Sequence, residues 1–194
     1  MKNWITEIRR SVAAVLCLAV IVAGLYPLAV WVLAQALFPS QANGSLVRRN
    51  GTTLGSSLIG QDFAGPAYFH PRPSAAGQGY DAASSGGSNL GPLSKELADT
   101  IRRRLVDYRA ENNLDPKAPV PADAVMASAS GLDPHISLKN ALAQAPRVAR
   151  ARGISETAMR RLVMIHTQGR DLRLLGEPRV NVLMLNLALE GRAK

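Results

Sequence analysis

The stretch from Ser11 to Phe38 reads SVAAVLCLAVIVAGLYPLAVWVLAQALF and contains no charged side chain. A hydrocarbon layer about 30 Å thick is crossed by roughly 20 apolar residues in a helix that rises about 1.5 Å per residue. The stretch exceeds this minimum, so it predicts a helix that spans a membrane with some tilt. No later stretch is as long and as apolar. The sequence therefore predicts one membrane helix followed by one large domain.

Charged residues on either side of this helix indicate its orientation. Lys2, Arg9 and Arg10 closely precede the helix, whereas Arg48 and Arg49 follow it at a greater distance. Lys and Arg residues close to a membrane helix tend to remain in the cytoplasm. We therefore expect a short cytoplasmic tail before the helix and the large domain on the opposite side of the membrane.

The same stretch could instead be a cleaved signal sequence. Ala34-Gln35-Ala36 fits the small-x-small cleavage pattern, and Arg9-Arg10 could form the charged leader. The core of a signal sequence has about 7–15 apolar residues, and this stretch is much longer, so we favour a retained anchor. Both interpretations place the domain outside the cytoplasm, and cleavage at the alanines stays open.

The composition narrows the classes of function. The chain has 194 residues and a formal net charge of +9. Its only cysteine, Cys17, lies in the membrane stretch, so the domain has neither a disulfide nor a thiol nucleophile. The charge alone would suggest that the chain binds nucleic acid or an anionic lipid surface, with an affinity that depends steeply on salt. Few aromatic residues are available for base stacking, and we expect no nucleic-acid partner.

Short strands precede helices in the predicted domain. Residues 1–10 are predicted to be the tail, 11–38 the membrane helix, 39–56 a juxtamembrane linker entering a first strand, and 57–194 the domain. Strand candidates between turn residues lie at 46–47, 57–59 and 67–69. The stretch 74–92 has almost no aliphatic side chains and predicts a long surface loop.

Start and stop signals predict the helices. Ser94 is a good N-cap for a helix whose apolar stripe begins at Leu93 and reaches Tyr108. Asp133-Pro134 resembles a helix start, and Pro178 another. Pro146 should divide the helix that follows residue 134, and Gly153 should end that helical stretch. Ser155 should open a further helix that contains Ile165. This order predicts an α+β fold, with one N-terminal transmembrane helix followed by a single mixed α/β domain.

The motifs of several enzyme classes are absent from the sequence. There is no G-x-x-x-x-G-K-[ST] phosphate-binding loop and no G-x-S-x-G nucleophile elbow. The three histidines are widely separated and have no cysteine partners, so we expect no metal site. The sequence thus predicts no catalytic residue of these kinds.

Three local patterns allow a functional and a structural interpretation. Asp133 and His135 could form a catalytic pair with Ser128 or Ser130, as in an exported, membrane-anchored hydrolase or ligand-binding domain; we favour a helix cap at Asp133 with His135 exposed beside it. The glycine-rich stretch 85–92 could bind an anion through backbone N–H groups, but we favour a tight connection. The third is Glu177-Pro178-Arg179, which suits an ion pair in an interface or a local one.

Several runs of residues resemble a known family. They are YFHPRPSA at 68–75, YD at 80–81, GSNLGP at 87–92, ASASGLDPHIS at 127–137, QAPRVA at 144–149 and LGEPRVNVL at 175–183. In this order they resemble the C subunit of the bacterial high-affinity potassium-transporting ATPase, the Kdp complex. The resemblance covers essentially the whole chain, including the membrane helix.

The resemblance implies a single-pass subunit of the inner membrane, with its N-terminus in the cytoplasm and a periplasmic domain. Its partners would be a channel-like potassium-binding subunit, a P-type ATPase subunit that hydrolyses ATP, and a small membrane subunit. The family is described as a catalytic chaperone that raises the affinity of the pump for ATP. We expect no firmly bound cofactor, and contact with ATP only through a transient complex with the ATPase subunit.

The resemblance also supplies candidates for interface or motif residues. They are Arg72, Pro73, Tyr80, Asp81, Ser88, Asn89, Asp133, His135, Gln144, Arg147, Glu177, Arg179 and Asn181. We expect the outer domain to clamp the channel-like subunit near its ion entrance and to influence turnover through the assembly, because cytoplasmic ATP cannot reach that side.

Overall fold

A computed structural model of the chain describes residues 3–191. Lys2 of the predicted tail and residues 192–194 of the predicted domain lie outside the described residues. The chain divides into two compact units, Met1–Leu46 and Val47–Lys194. The described part has the mixed α/β content and the long N-terminal apolar helix that the sequence predicts.

The first unit is dominated by one continuous helical segment, Trp4–Leu37, which is long and apolar enough to cross a membrane. It consists of α1 (Trp4–Ala19), a wider π turn (Val20–Leu25) and α2 (Tyr26–Leu37), and the short helix α3 (Pro39–Ala42) follows. The helix predicted from Ser11 to Phe38 is therefore present, but it begins earlier and ends one residue sooner.

Pro27 accounts for the π turn. Proline has no N–H, and its ring collides with the carbonyl four residues earlier in a regular α-helix. The wider turn, Val20–Leu25, lies directly before α2, whose first turn contains this proline. Local widening of this kind is a common way for a helix to continue past a proline.

A β-hairpin follows α3. Its strands are β1 (Leu46–Arg49) and β2 (Thr52–Ser56). Asn50 and Gly51 join them with positive φ angles of 52° and 79°, as a type I′ turn requires. The strand predicted at 46–47 is confirmed, but the strand predicted at 57–59 is wrong. There the N–H of Leu58 donates to the Oγ of Ser56 at 3.1 Å, which closes a turn.

Within the described residues that follow this hairpin, the chain forms a small antiparallel sheet and five helices. The strands are β3 (His135–Ser137), β4 (Thr167–Gln168) and β5 (Arg179–Asn181), in the spatial order β3-β5-β4. The helices are α4 (Lys95–Glu111), α5 (Ala122–Val125), α6 (Leu138–Arg152), α7 (Glu156–Ile165) and α8 (Val182–Glu190). Buried apolar side chains of the sheet, α6, α7 and α8 form the core around Phe69.

Two of the predicted helix starts are wrong for the same reason. The chain after Asp133-Pro134 first forms β3, and the chain after Pro178 first forms β5, so that Ile136 lies opposite Val180 in the sheet. Each helix begins only after its strand. The N-caps are Ser137, which accepts from the N–H of Asn140 at 3.1 Å, and Asn181, which accepts from the N–H of Met184 at 3.1 Å.

Pro146 does not divide α6, contrary to the sequence prediction. A proline inside a helix costs about 3 kcal/mol. Here the residues on both sides of it, Ala145 and Val148 among them, are fully buried, and their packing offsets that cost. Gly153 ends the helix with φ of 64°, as predicted.

The other predicted starts are confirmed, with one correction to a predicted apolar stripe. Ser94 caps α4 by accepting from the N–H of Leu97 at 3.3 Å, and Ser155 caps α7. Leu93 is 99% exposed, so it does not belong to a buried apolar stripe as predicted. Ile165 is the last residue of α7, as the prediction of a helix containing it requires. The stretch 74–92 contains no helix or strand, as expected.

Candidate functional site

The segment 66–70, in which Phe69 is fully buried, is bound by side chains instead of a neighbouring strand. The side chain of Asn186 accepts from the N–H of Phe69 and donates to its carbonyl, both at 2.9 Å. The side chain of Gln144 does the same for His70, at 2.7 Å and 3.0 Å. Because amides from α8 and α6 occupy these backbone groups, the strand predicted at 67–69 does not form.

Arg147 continues this arrangement in α6. Its guanidinium donates to the carbonyls of Pro66 and Tyr68 at 2.7 Å and 3.0 Å, to Oδ1 of Asn112 at 3.0 Å, and to Oε1 of Gln144 at 2.9 Å. The side chain is only 7% exposed. Burial lowers the pKa of Arg147 below its ordinary value, and the nearby Glu111 carboxylate opposes this effect.

Glu111, at the end of α4, connects this helix to the same segment. Its Oε1 lies 2.9 Å from Nδ1 of His70 and 3.9 Å from Nε of Arg147. The other ring nitrogen of His70 lies 2.9 Å from the carbonyl of Gly65. The segment 66–70 is thus fixed by polar side chains of three helices.

A second cluster surrounds Asp133. Its Oδ2 accepts from Nη1 of Arg72 at 2.9 Å, and its Oδ1 accepts from the backbone N–H of His135 at 3.0 Å. Half-burial alone would raise the pKa of the Asp133 carboxyl, but the hydrogen bonds from His135 and Arg72 outweigh it and lower this pKa. The hydroxyl of Tyr80 donates to the carbonyl of Arg72, and burial raises the pKa of Tyr80.

This geometry differs from that of a catalytic serine, histidine and aspartate. Nδ1 of His135 lies 3.5 Å from Oδ1 of Asp133, yet within residues 3–191 no serine hydroxyl is hydrogen-bonded to His135. Ser128 is buried, and Oγ of Ser130 accepts from the N–H of Leu132 at 3.1 Å. Asp133 closes the turn into β3 and holds Arg72; it does not cap a helix, and His135 is half-buried in a strand.

The loop 74–92 packs against residues that precede β3. Oγ of Ser74 donates to the carbonyl of Gly131 at 2.7 Å and accepts from the N–H of Tyr80 at 2.9 Å. Gly131 has a φ of 68°, and a Cβ there would lie 2.7 Å from atoms of Ala76 and Gly86. Motif runs that are far apart in the sequence therefore form one tightly packed layer.

The glycine-rich stretch 85–92 takes part in this layer. The N–H of Gly86 donates to the carbonyl of Ser130 at 2.9 Å, so this backbone group is used within the fold, which favours the tight connection over the anion site. Ser88 and Asn89 are exposed. Oδ1 of Asp81 accepts from the N–H of Ala83 at 2.9 Å and forms a local turn.

Both polar clusters border one open cleft of about 430 Å³ between α4 and the segment 70–74. His70 and Gln144 line it from one cluster, and Arg72 and Tyr80 from the other; Pro73 also lines it. Among the described residues, the Nε of Arg72 is buried there without a hydrogen-bond partner. Residues 3–191 contain no group of three or more His, Cys, Asp or Glu side chains that could hold a metal ion. The cleft is the candidate site.

The remaining sequence candidates do not line this cleft. Glu177 pairs with Arg170 at 2.8 Å, and Arg179 pairs with Asp171 at 3.2 Å, so these are local ion pairs. Asn181 faces His135 in the β3–β5 register. Its Nδ2 also donates to the carbonyl of Ser57 at 2.7 Å.

Sequence reasoning missed several polar residues of the network. They are His70, Glu111, Asn112, Asn140 and Asn186. The sequence did contain a signal for the part of this polar network that lies in α6. Asn140, Gln144 and Arg147 recur at helical spacing and are buried in α6, where an apolar stripe is the ordinary pattern.

Comparisons with known proteins agree with one another. A family model described as "K+-transporting ATPase, c chain" matches residues 8–191. A relative from Nitratidesulfovibrio vulgaris, named "Potassium-transporting ATPase KdpC subunit", is 54% identical over 190 residues, which cover 97% of this chain and 96% of the relative. Relatives of the same name come from Koribacter versatilis (50% identity, 98% and 95% covered) and Mycobacterium tuberculosis (53% identity, 93% and 95% covered). The similarity extends over the membrane helix and the domain.

Proposed function

The chain belongs to the KdpC family, the c chain of K⁺-transporting ATPases, and from this premise we propose that it is an accessory, non-catalytic subunit. As a subunit of the potassium-transporting ATPase, it is needed for the assembly and stability of the complex. ATP hydrolysis belongs to a P-type ATPase subunit, and potassium binding to a channel-like subunit. A small membrane subunit is the third partner.

The observation that carries this proposal is the use of the polar motif residues within the fold. Gln144 and Arg147 bind the backbone of segment 66–70, and Asp133 binds Arg72. An enzyme would need such groups aimed at a substrate. Here they fix the shape of the domain instead, which suits a subunit that acts through its surface.

The proposed location is the inner membrane. The helix Trp4–Leu37 anchors the chain, the N-terminus lies in the cytoplasm, and the domain lies in the periplasm, where it clamps the channel-like subunit near its ion entrance. The basic residues close to the start of the helix support this orientation.

We propose an indirect effect on ATP. Because ATP is cytoplasmic, the periplasmic domain raises the ATP affinity of the pump through the assembly, and any contact with ATP is transient and passes through the ATPase subunit. Removal of this chain should then raise the ATP concentration at which the remaining pump is half-saturated. An unchanged half-saturating concentration would refute the indirect effect.

Affinity purification tests the accessory role. The other subunits are expressed with and without this chain, and the recovered subunits are quantified. We expect the complex to lose subunits in its absence. Normal assembly and potassium transport without this chain would refute the proposal.

Labelling of an engineered cysteine tests the orientation. The exposed residue Ser88 is changed to cysteine in a chain whose Cys17 is replaced by serine. A membrane-impermeant thiol reagent should label intact cells. Labelling only after permeabilisation would place the domain in the cytoplasm.

A further inference from the structure

The connection between β4 and β5 exposes three leucines at one turn. Leu172, Leu174 and Leu175, here called the leucine tip, are 85%, 79% and 62% exposed. Single exposed leucines are ordinary. Three within four consecutive residues at the end of a hairpin form an apolar surface of the kind found at interaction sites.

The leucine tip is held in a defined shape. The backbone groups of Asp171 and Leu175 are hydrogen-bonded to each other in both directions at 2.9 Å. Below this bridge, Arg170 pairs with Glu177, and Arg179 pairs with Asp171. These contacts prearrange the turn, which lowers the entropy lost when it binds a partner.

The backbone within the turn is strained. Leu172 and Arg173 have φ angles of 52° and 65°, in a left-handed region that residues with bulky side chains rarely adopt. Strain of this kind is held where the surrounding structure requires a particular presentation of side chains, often at binding sites.

The charges indicate the chemistry of the partner. Arg170 and Arg179 are neutralised by carboxylates of the turn, whereas Arg173, between two exposed leucines, forms no ion pair within residues 3–191. Building on the proposed subunit role, we propose that the leucine tip docks into an apolar pocket, rimmed by a carboxylate, on another protein subunit of the complex. Leu172 and Leu174 fill the pocket, and Arg173 pairs with the carboxylate.

A protein pocket fits this turn better than a lipid surface. Asp171 and Glu177 lie beside the leucines with 66% and 79% of their side chains exposed, and insertion into an anionic bilayer would carry them along. Residues 167–181 contain no Trp or Tyr, the aromatic residues that are enriched at membrane interfaces.

Removal of the leucines from the full-length chain tests the proposal. A Leu172→Ser/Leu174→Ser variant is co-expressed with the other subunits, and its dissociation from the purified complex is timed. We expect dissociation at least about tenfold faster than for the unchanged chain, as for interface hot spots. Leu93→Ser is the matched control, since Leu93 is also exposed, and it should dissociate like the unchanged chain. Equal melting temperatures of the variants exclude misfolding.

Charge reversal is a second arm of the test. Arg173→Glu should also accelerate dissociation by about tenfold or more, because the new carboxylate would be repelled by the carboxylate of the pocket. Arg161→Glu, at another exposed arginine, should not. If neither the leucine variant nor Arg173→Glu differs from its control, the docking surface is refuted while the subunit role stands. If the unchanged chain itself recovers no other subunit, the proposed function fails first.

A fluorescent probe separates protein docking from lipid insertion. A polarity-sensitive dye is attached to Leu172→Cys in a Cys17→Ser chain. In vesicles of phosphatidylethanolamine and phosphatidylglycerol containing this chain alone, the dye should emit as it does in water, and its emission should shift to the blue only in the complex. A blue shift with the chain alone would overturn the proposal in favour of lipid.

Discussion

Replacing Gln144 with leucine should weaken the domain far more than the loss of one ordinary hydrogen bond. Leucine has a similar size but cannot donate or accept. The N–H and carbonyl of His70 would lose the hydrogen bonds that Gln144 makes to them at 2.7 Å and 3.0 Å. Oδ1 of Asn140 would keep its bond from the hydroxyl of Tyr108. Nη2 of the buried Arg147 would also lose its acceptor, Oε1 of Gln144 at 2.9 Å, so three groups would lose a partner.

The magnitude follows from those three groups. A buried polar group left without a partner costs about 1–3 kcal/mol, and His70 borders the open cleft, where water can restore part of the loss. We therefore expect the free energy of unfolding to fall by about 3–6 kcal/mol. Domains of this size are stable by about 5–15 kcal/mol, so the effect would be a substantial fraction.

Urea titration followed by far-ultraviolet circular dichroism measures this change. Tryptophan fluorescence is unsuitable because Trp4 and Trp31 lie in the membrane helix. Gln168→Leu is the matched control, since Gln168 is exposed on β4, and it should alter stability by less than about 0.5 kcal/mol. A Gln144→Leu variant that unfolds like the control would refute the claim that side-chain amides hold segment 66–70.

Two further changes test other parts of the fold. Arg72→Met should destabilise the domain by about 1 kcal/mol near neutral pH. Because the pKa of Asp133 is lowered in the folded state, this difference in stability should persist down to about pH 4 and shrink in stronger acid. Urea midpoints of the two proteins that differ equally at every pH would contradict this prediction. Gly131→Ala should cost about 2–4 kcal/mol, from the left-handed φ and the 2.7 Å contacts of the added Cβ. Gly169→Ala, with nothing within 4 Å, is its control, and equal melting temperatures would contradict the packing argument.

Features that depend on local chemistry could be predicted from the sequence. The membrane helix follows from an uninterrupted apolar run. The start of α4 follows from Ser94 and the end of α6 from Gly153, because each of these residues caps the helix next to it. The long loop 74–92 follows from its lack of aliphatic side chains. The α+β class can be predicted from the order of the strand and helix signals along the chain.

Features that depend on distant partners could not be predicted. The strands β3 and β5 have three residues each, too few for a periodic pattern, and they exist because they pair with each other across the fold. The prolines before them therefore suggested helix starts. The role of Asn186 is equally non-local, because it binds the backbone of Phe69, far away in the sequence.

The candidate site was predictable only in part. The sequence singled out Arg72, Asp133, Gln144 and Arg147 through family motifs, but not the further partners of Gln144 and Arg147, namely His70, Asn112 and Glu111. The exposed leucine tip carried no distinct sequence signal, because its leucines have the spacing of ordinary interior residues. Its exposure follows from the β4–β5 pairing, which the sequence alone did not reveal.

The most direct test of the account is potassium-stimulated ATP hydrolysis by the purified complex, by the complex prepared without this chain, and by this chain alone. The account predicts activity in the complete complex, a loss of most of the potassium stimulation without the chain, its recovery when the chain is added back, and no hydrolysis by the chain alone. Full stimulation without the chain, or hydrolysis by the isolated chain, would contradict the account.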